Sequence, residues 1–460
     1  MGFPPVHYGG LMVYATDLSK EQLKMGHNVI MLMPGIYNGK GKSKIKFFKV
    51  QEKLPVYQII NSHPVNLSGI GNPSDFIKEK KENNYRDFLK KNNIEILHVH
   101  SLMGFPKELL DEAKNLGIKT IFSAHDYFGL CPKYRLFKYD GTLCNDFNEG
   151  KSCVLCNYEA SNRAIKSRNL LIVFPLGYRI LRKTYQLFKR SSRQSKKEYA
   201  EKKYYQKLVF NENKAIKFVE FRRYYIKILE SFDFIIFNSS VTKNEFSKYI
   251  NLNKLKYKIL PVTHSSIKDN RNVINYKPLI NGKVNFLFMG GLVKGKGFYD
   301  LVSILNEIKK THTNWQINIY GNYSGINLDN FDNNFFKFYS KYSYKDLIDI
   351  FSNSSVLIIP SKWKETFGLI GLEAFSYGIP VIASENVGFS DLLEDGKTGF
   401  IYKEDSENEH LKKIIIAILE NPYLLQEMNK EIKRIGFKYT LKHHVNEIIL
   451  CYKNLLEEKL

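Results

Sequence analysis

Two carboxylates, Glu365 and Glu373, stand with seven residues between them in PSKWKETFGLIGLEAFSYGIPVIAS, residues 360–384. Phe367 and Gly368 follow the first of them. A helix opened by Gly368 aims free backbone N–H groups, beginning near Leu369, and the positive end of its dipole at an anion. Glu373 then lies about a turn and a half along that helix, where its oxygens accept hydrogen bonds from sugar hydroxyls. A helix start beside two acceptors suits a ligand carrying both phosphate and hydroxyl groups. A pair of Glu residues on a helix is ordinarily just a solvated face. The apolar runs Val356–Pro360 and Ile379–Ala383 on either side set this pair apart.

A second constellation is made of cysteines. Cys131, Cys144, Cys153 and Cys156 follow the pattern C-x12-C-x8-C-x2-C, while Cys451 lies far away. In a reducing compartment a lasting disulfide is disfavoured. A closing C-x2-C with two further thiols suits tetrahedral zinc, but the second C-x2-C of a zinc ribbon is missing. Two readings stay open: a structural zinc held by these four side chains, or reduced thiols with no ligand. No Asp-x-Asp pair stands at a strand end, so no catalytic metal or other catalytic cofactor is expected.

The elements that must position these groups alternate along the chain. Strand-like apolar runs are Asn28–Met33, Ile94–His100, Lys119–Ala124, Phe232–Asn238, Tyr257–Val262, Val284–Met289, Gln316–Tyr320, Val356–Pro360 and Ile379–Ala383. Helical patterns between them include Met12–Met25, Pro106–Leu116, Tyr299–Lys310, Tyr344–Ser352 and Leu369–Tyr377. Runs apolar throughout read as strands buried on both faces. Strand–helix alternation over 460 residues argues for an α/β protein with two doubly wound parallel sheets. The polar stretch from His264 to Lys283 reads as the joint, and the cleft between the domains as the ligand site.

At this point a family resemblance enters. The 360–384 segment resembles the E-x7-E signature of the retaining GT-B glycosyltransferases of family 4. FLFMGGLVKGKGFYDLV resembles that family's strand–turn–helix for the donor diphosphate, with Lys296 at its lysine, Gly290 kept, and Gly291 where the family carries arginine. ENVGFSDLLEDGKTGFIY resembles the downstream tail, with Asp391 at its Glu. FPPVHYGGLMVYATDLSKEQLKMGHNV resembles the opening Gly-Gly loop, Gly9 and Gly10, and the first helix; family members place a strand before it, so the start reads as truncated or misassigned. TIFSAHDYFGLCP puts His125 at the cleft histidine, while His98 and His100 read as structural.

The resemblance implies a GT-B fold: an acceptor-side Rossmann-like domain over residues 1–268, a nucleotide-sugar domain over 269–436, and a C-terminal helix, 437–460, returning to the first domain. It implies front-side sugar transfer with Lys296 on the leaving diphosphate, His125 at the donor sugar or its phosphate, Glu365 orienting the sugar and Glu373 on the ribose. Gly290, Gly291, Phe367, Gly368 and Leu369 complete the donor contacts, and Gly9 and Gly10 the acceptor and phosphate loop. A catalytically weak nucleotide-sugar or glycan-binding protein of the same fold is the alternative.

Charge adds a partner. Residues 161–230 hold 19 Lys or Arg against 5 Glu, a net +14 of the chain's +23. With aromatics interleaved, this basic insertion reads as an interfacial element for an anionic membrane surface. Nucleic acid is a poorer partner, since no RNP, KH or helix-turn-helix pattern appears. The sequence shows no secretory signal and no spanning segment. It is expected to be cytoplasmic and peripheral on the inner membrane face, with a glycan or lipid-linked acceptor.

Overall fold

The computed structural model describes residues 10–37, 42–81, 83–158, 212–405 and 407–457, together with 160, 165–166 and 169–170. Gly9 and most of the basic insertion lie outside the described residues.

The C-terminal half carries one six-stranded parallel sheet: β8 (Val284–Met289), β9 (Trp315–Tyr320), β10 (Phe336–Tyr339), β11 (Val356–Ile359), β12 (Val381–Ser384) and β13 (Gly399–Tyr402). Their order is β10-β9-β8-β11-β12-β13. Counted within the domain this is the doubly wound order 3-2-1-4-5-6, which reverses between β8 and β11 and opens a crevice at their carboxyl ends. β8, β11 and β12 are buried at every position, as strands covered by helices on both faces must be.

The N-terminal half splits into two sheets. One holds β1 (Met31–Pro34), β2 (Lys44–Gln51) and β3 (Leu54–Ile60), in the order β1-β3-β2. The other is the parallel run β4 (Ile96–Val99), β5 (Lys119–Ala124), β6 (Phe234–Phe237) and β7 (Lys256–Ile259). Between β1 and β4 lies a cavity of about 710 Å³, lined by the helix Gly10–Lys24 and by both strands.

All nine expected strands form, with ends shifted by a few residues. β2, β3, β10 and β13 are additional. β2 reads KIKFFKVQ, a strand whose polar and apolar residues alternate unevenly and which bulges between Phe47 and Lys49. The joint at 264–283 is less polar in place than its composition indicates. Ile267, Ile274 and Tyr276 are buried, and the Arg271 guanidinium donates to the carbonyls of Ile432 and Ile435 and pairs with Asp269. The helix Leu441–Glu457 lies against Gly10–Lys24: Tyr14 meets His444 at 2.9 Å, and Tyr452 meets Gln22 and His98 at 3.2 and 2.6 Å. Among the described residues no helix is long and apolar enough to cross a membrane.

Candidate active site

The switch point between β8 and β11 brings two of the predicted residues, Lys296 and Glu365, into contact. Gly290 follows the end of β8, a short turn carries Lys294–Lys296, and Gly297 begins the helix Phe298–Ile308 with φ +69°. A Cβ at Gly297 would lie 1.6 Å from the Pro360 carbonyl oxygen, so only glycine lets this turn close on the end of β11. The close approach sets Lys296 Nζ 2.7 Å from Glu365 Oε1, with the two side chains 24% and 10% exposed. The Ser361 hydroxyl donates to the same oxygen. Trp363 lies under the ammonium, its ring centroid 5.4 Å away. Glu365 is held by its backbone as well: its N–H donates to Asn386 and its carbonyl accepts from Gly388. At rest the site is an ion pair at a strand end, whose ammonium is the charge suited to a phosphate.

Gly368, φ +94°, begins the helix Leu369–Phe375. Gly290 and Gly291 border open space: a Cβ on Gly290 would meet nothing within 4 Å, and one on Gly291 would meet only Val293 at 3.8 Å. Phe367 is buried at 2% exposure.

Glu373 departs from expectation. It is 4% exposed, and its oxygens already face protein donors, His264 Nε2 at 3.3 Å and the Tyr342 hydroxyl at 3.5 Å. The Ser266 N–H points at His264 Nδ1, so that nitrogen accepts and Nε2 carries the proton given to Glu373. Burial and the nearby carboxylate push the Tyr342 hydroxyl pKa up, keeping it a donor. Glu373 thus spends one acceptor site per oxygen inside the protein and keeps the other lone pairs.

The N-terminal half meets this surface directly. The Thr366 hydroxyl donates to the His125 carbonyl at 3.0 Å. Ser239 and Thr242 donate to the Thr366 carbonyl at 2.8 and 2.9 Å. Asp391 accepts from Ser240, N–H and hydroxyl both at 2.5 Å, and so caps the helix Ser240–Ser247. A Cβ on Gly10 would lie 3.6 Å from the Leu369 side chain.

His125 is the second departure. Its Nδ1 takes a hydrogen bond from the Asn238 amide and its Nε2 faces His100 Nδ1, each at 3.2 Å. With both ring nitrogens engaged, what His125 offers the donor domain is its carbonyl, through Thr366. Burial and the neighbouring histidines push its pKa down, so the ring is neutral near pH 7. His98 is likewise committed, to Tyr452 and Ser123.

Sequence reasoning missed His264, Tyr342, Thr366, Trp363 and Asn238. Only Asn238 carried a local signal: it ends a strand beside the one that His125 ends, where α/β sites gather.

The cysteines are all free thiols. Among the described residues no group of three or more His, Cys, Asp or Glu side chains is drawn close enough to hold a metal ion. The 710 Å³ cavity is not the centre of this chemistry. It reaches His98 and His100 but none of Lys296, Glu365 or Glu373, and we place the site by its charged groups.

Residues 270–436 match the sequence model of the glycosyl transferases group 1, and residues 8–149 match that of glycosyltransferase family 4. The chain belongs to the group 1 glycosyltransferases. Among relatives of this glycosyltransferase, an uncharacterised 41.2 kDa protein from the cps region of Klebsiella pneumoniae is 30% identical over 176 residues, 37% of this chain and 47% of that protein. A capsular polysaccharide biosynthesis glycosyltransferase of Staphylococcus aureus is 23% identical over 199 residues, covering 42% and 52%. The chain thus spans about half the length of these curated relatives. Sucrose-phosphate synthase from Thermosynechococcus elongatus shares the GT-B fold, with a TM-score of 0.58 at 14% identity over 98% of this chain and 94% of that one.

Proposed function

We propose that this glycosyltransferase moves a sugar, with retention of configuration, from a nucleotide-sugar to a glycan acceptor of a cell-surface polysaccharide. The observation that carries the reading is the Lys296–Glu365 pair at the β8–β11 switch point, beside a glycine-bordered space and against the N-terminal half. A departing diphosphate gathers negative charge, and an ammonium already at the strand end stabilises it after no more than a local swing from Glu365. As the phosphate draws Lys296 away, Glu365 is freed to accept from the transferred sugar. Glu373, held by His264 and Tyr342, offers its remaining lone pairs to the ribose. His125 acts through the carbonyl that fixes Thr366, next to Glu365. No metal enters the transfer in this scheme.

The acceptor is proposed to be lipid-linked, with the basic insertion on an anionic membrane surface and the protein peripheral on its cytoplasmic face; the net +14 between 161 and 230 supports this.

The test is release of free nucleotide from a panel of UDP-, GDP- and ADP-sugars, with Glu365→Gln as comparison. Turnover of one donor, lost in the variant, is expected. Nucleotide binding with no turnover of any donor, with acceptor extracts added, would replace this reading by that of a binding protein.

A further inference from the structure

The four cysteines that the transfer scheme does not use converge on one place. Cys131, Cys144, Cys153 and Cys156 all line a cavity of about 10 Å³, together with Arg222. They arrive from three directions. Cys131 follows β5, Cys144 ends a turn pinned by its N–H to the Leu136 carbonyl, and Cys153 and Cys156 share one face of the helix Lys151–Cys156. That helix approaches Glu212–Leu229 so closely that a Cβ on Gly150 would lie 2.3 Å from the Ala215 carbonyl oxygen.

Arg222, on the second of these helices, is the independent observation. It is 2% exposed; Nε, Nη1 and Nη2 meet no acceptor at good hydrogen-bond geometry, the Tyr249 hydroxyl offers the guanidinium one weak contact, and among the described residues no carboxylate is paired with it. Its guanidinium lies over Phe147 at 3.9 Å and Tyr249 at 4.9 Å, faces that attract a cation without neutralising it. A buried cation whose donors are so poorly satisfied is costly, and proteins supply such a group with a counter-charge. Neutral thiols are no counter-charge. Four thiolates on a divalent cation are: the assembly carries a charge of about −2 and presents sulfur lone pairs. Lys138 and Lys133 add positive charge near Cys144 and Cys156.

We propose that the four cysteines bind a single zinc ion, as a tetrathiolate whose outer partner is Arg222. The cavity holds about one water-sized sphere, the scale of a single ion. Since the sulfurs do not yet meet at coordinating distance, loading draws the 131–156 loop and its helix inward. Four thiols lose their protons and four Zn–S bonds form, with no oxidant involved. The loop also carries the contacts to the donor domain. Arg135 lies over Trp363 at 5.0 Å, Phe137 meets the same ring at 6.1 Å, and the Asp140 carbonyl accepts from Lys294. The metal therefore fastens the strap that bears on the Trp363–Lys296 edge of the site.

The full chain, purified without affinity metal, is assayed for metal content, thiol reactivity and melting temperature, alongside Cys153→Ser and Arg222→Met. Expected are about one zinc per chain, four thiols that react with a mercurial only as zinc is released, and a melting temperature that chelator lowers and zinc restores. Cys153→Ser loses the metal, and Arg222→Met binds it at least tenfold more weakly and melts lower. The opposite result for Arg222→Met is diagnostic, because removing a poorly satisfied buried cation from a site of neutral thiols raises stability. Metal-free protein that takes up no added zinc overturns the proposal. So does zinc retained by Cys153→Ser, or an Arg222→Met variant as stable as the parent or more so.

Discussion

Lys296→Met is the perturbation that bears most directly on the transfer reading. The ammonium stands 2.7 Å from Glu365 Oε1 with Glu365 only 10% exposed. Its removal does two separable things. In the resting protein it leaves a mostly buried carboxylate with Ser361 as its remaining side-chain donor, a loss of about 1–3 kcal/mol. In the transfer step it removes a pre-placed cation from the leaving diphosphate. Loss of one such electrostatic contact costs about 10²–10³ in rate, or roughly 3–4 kcal/mol of barrier. A double-mutant cycle with Glu365→Gln separates the two. Melting curves report a coupling of about 1 kcal/mol or more for groups this close, because Glu365→Gln relieves the unpaired charge that Lys296→Met leaves. Nucleotide release reports a kcat/KM loss of at least a hundredfold in Lys296→Met that Glu365→Gln does not relieve. A Lys296→Met enzyme within threefold of the parent, on a donor the parent turns over, would refute the assignment of the diphosphate to this edge. Additive melting shifts would refute the ion pair.

Three further outcomes follow from the geometry. Gly297→Ala should lower the melting temperature sharply and cost activity, since its Cβ falls 1.6 Å from the Pro360 oxygen at φ +69°; thermal unfolding decides it. Gly291→Arg should fold normally, having only Val293 within 4 Å of the new Cβ, and should tighten donor binding several-fold, read by titration of the nucleotide. His444, 3% exposed, has its pKa pushed by burial from 6.5 to about 4. The unfolded chain therefore binds the extra proton first, so this contribution is present above about pH 6.5 and is lost as pH falls toward 4, by up to about 1.4 kcal/mol per pH unit. His444→Phe should flatten that part of a stability–pH curve, and an unchanged slope would count against it.

Strands buried on both faces were legible because an unbroken apolar run has one reading in a helix-covered sheet; β8, β11 and β12 are the cases. β2, β10 and β13 lie at sheet edges, where packing no longer dictates the residues and FKFY or GFIY looks like any short apolar stretch. The resemblance named Lys296 and Glu365 separately; that they pair, and the glycine that lets two strand ends touch, is visible only in space. His264 and Tyr342 were beyond reach, because they lie 109 and 31 residues from Glu373 and nothing local marks a donor whose acceptor is so distant. The same holds for His125: its type and place at a strand end were readable, but that Asn238 and His100 occupy its ring nitrogens was not.

The cavity between β1 and β4 carries a different consequence. Among the described residues β1 pairs with β3 alone and β4 with β5 alone. The other side of each strand borders that cavity. Hydrogen exchange at the mostly half-buried Met31–Met33 and Ile96–Val99 should therefore run faster than at the doubly paired β5 and β6, so the sheet loosens from this side first.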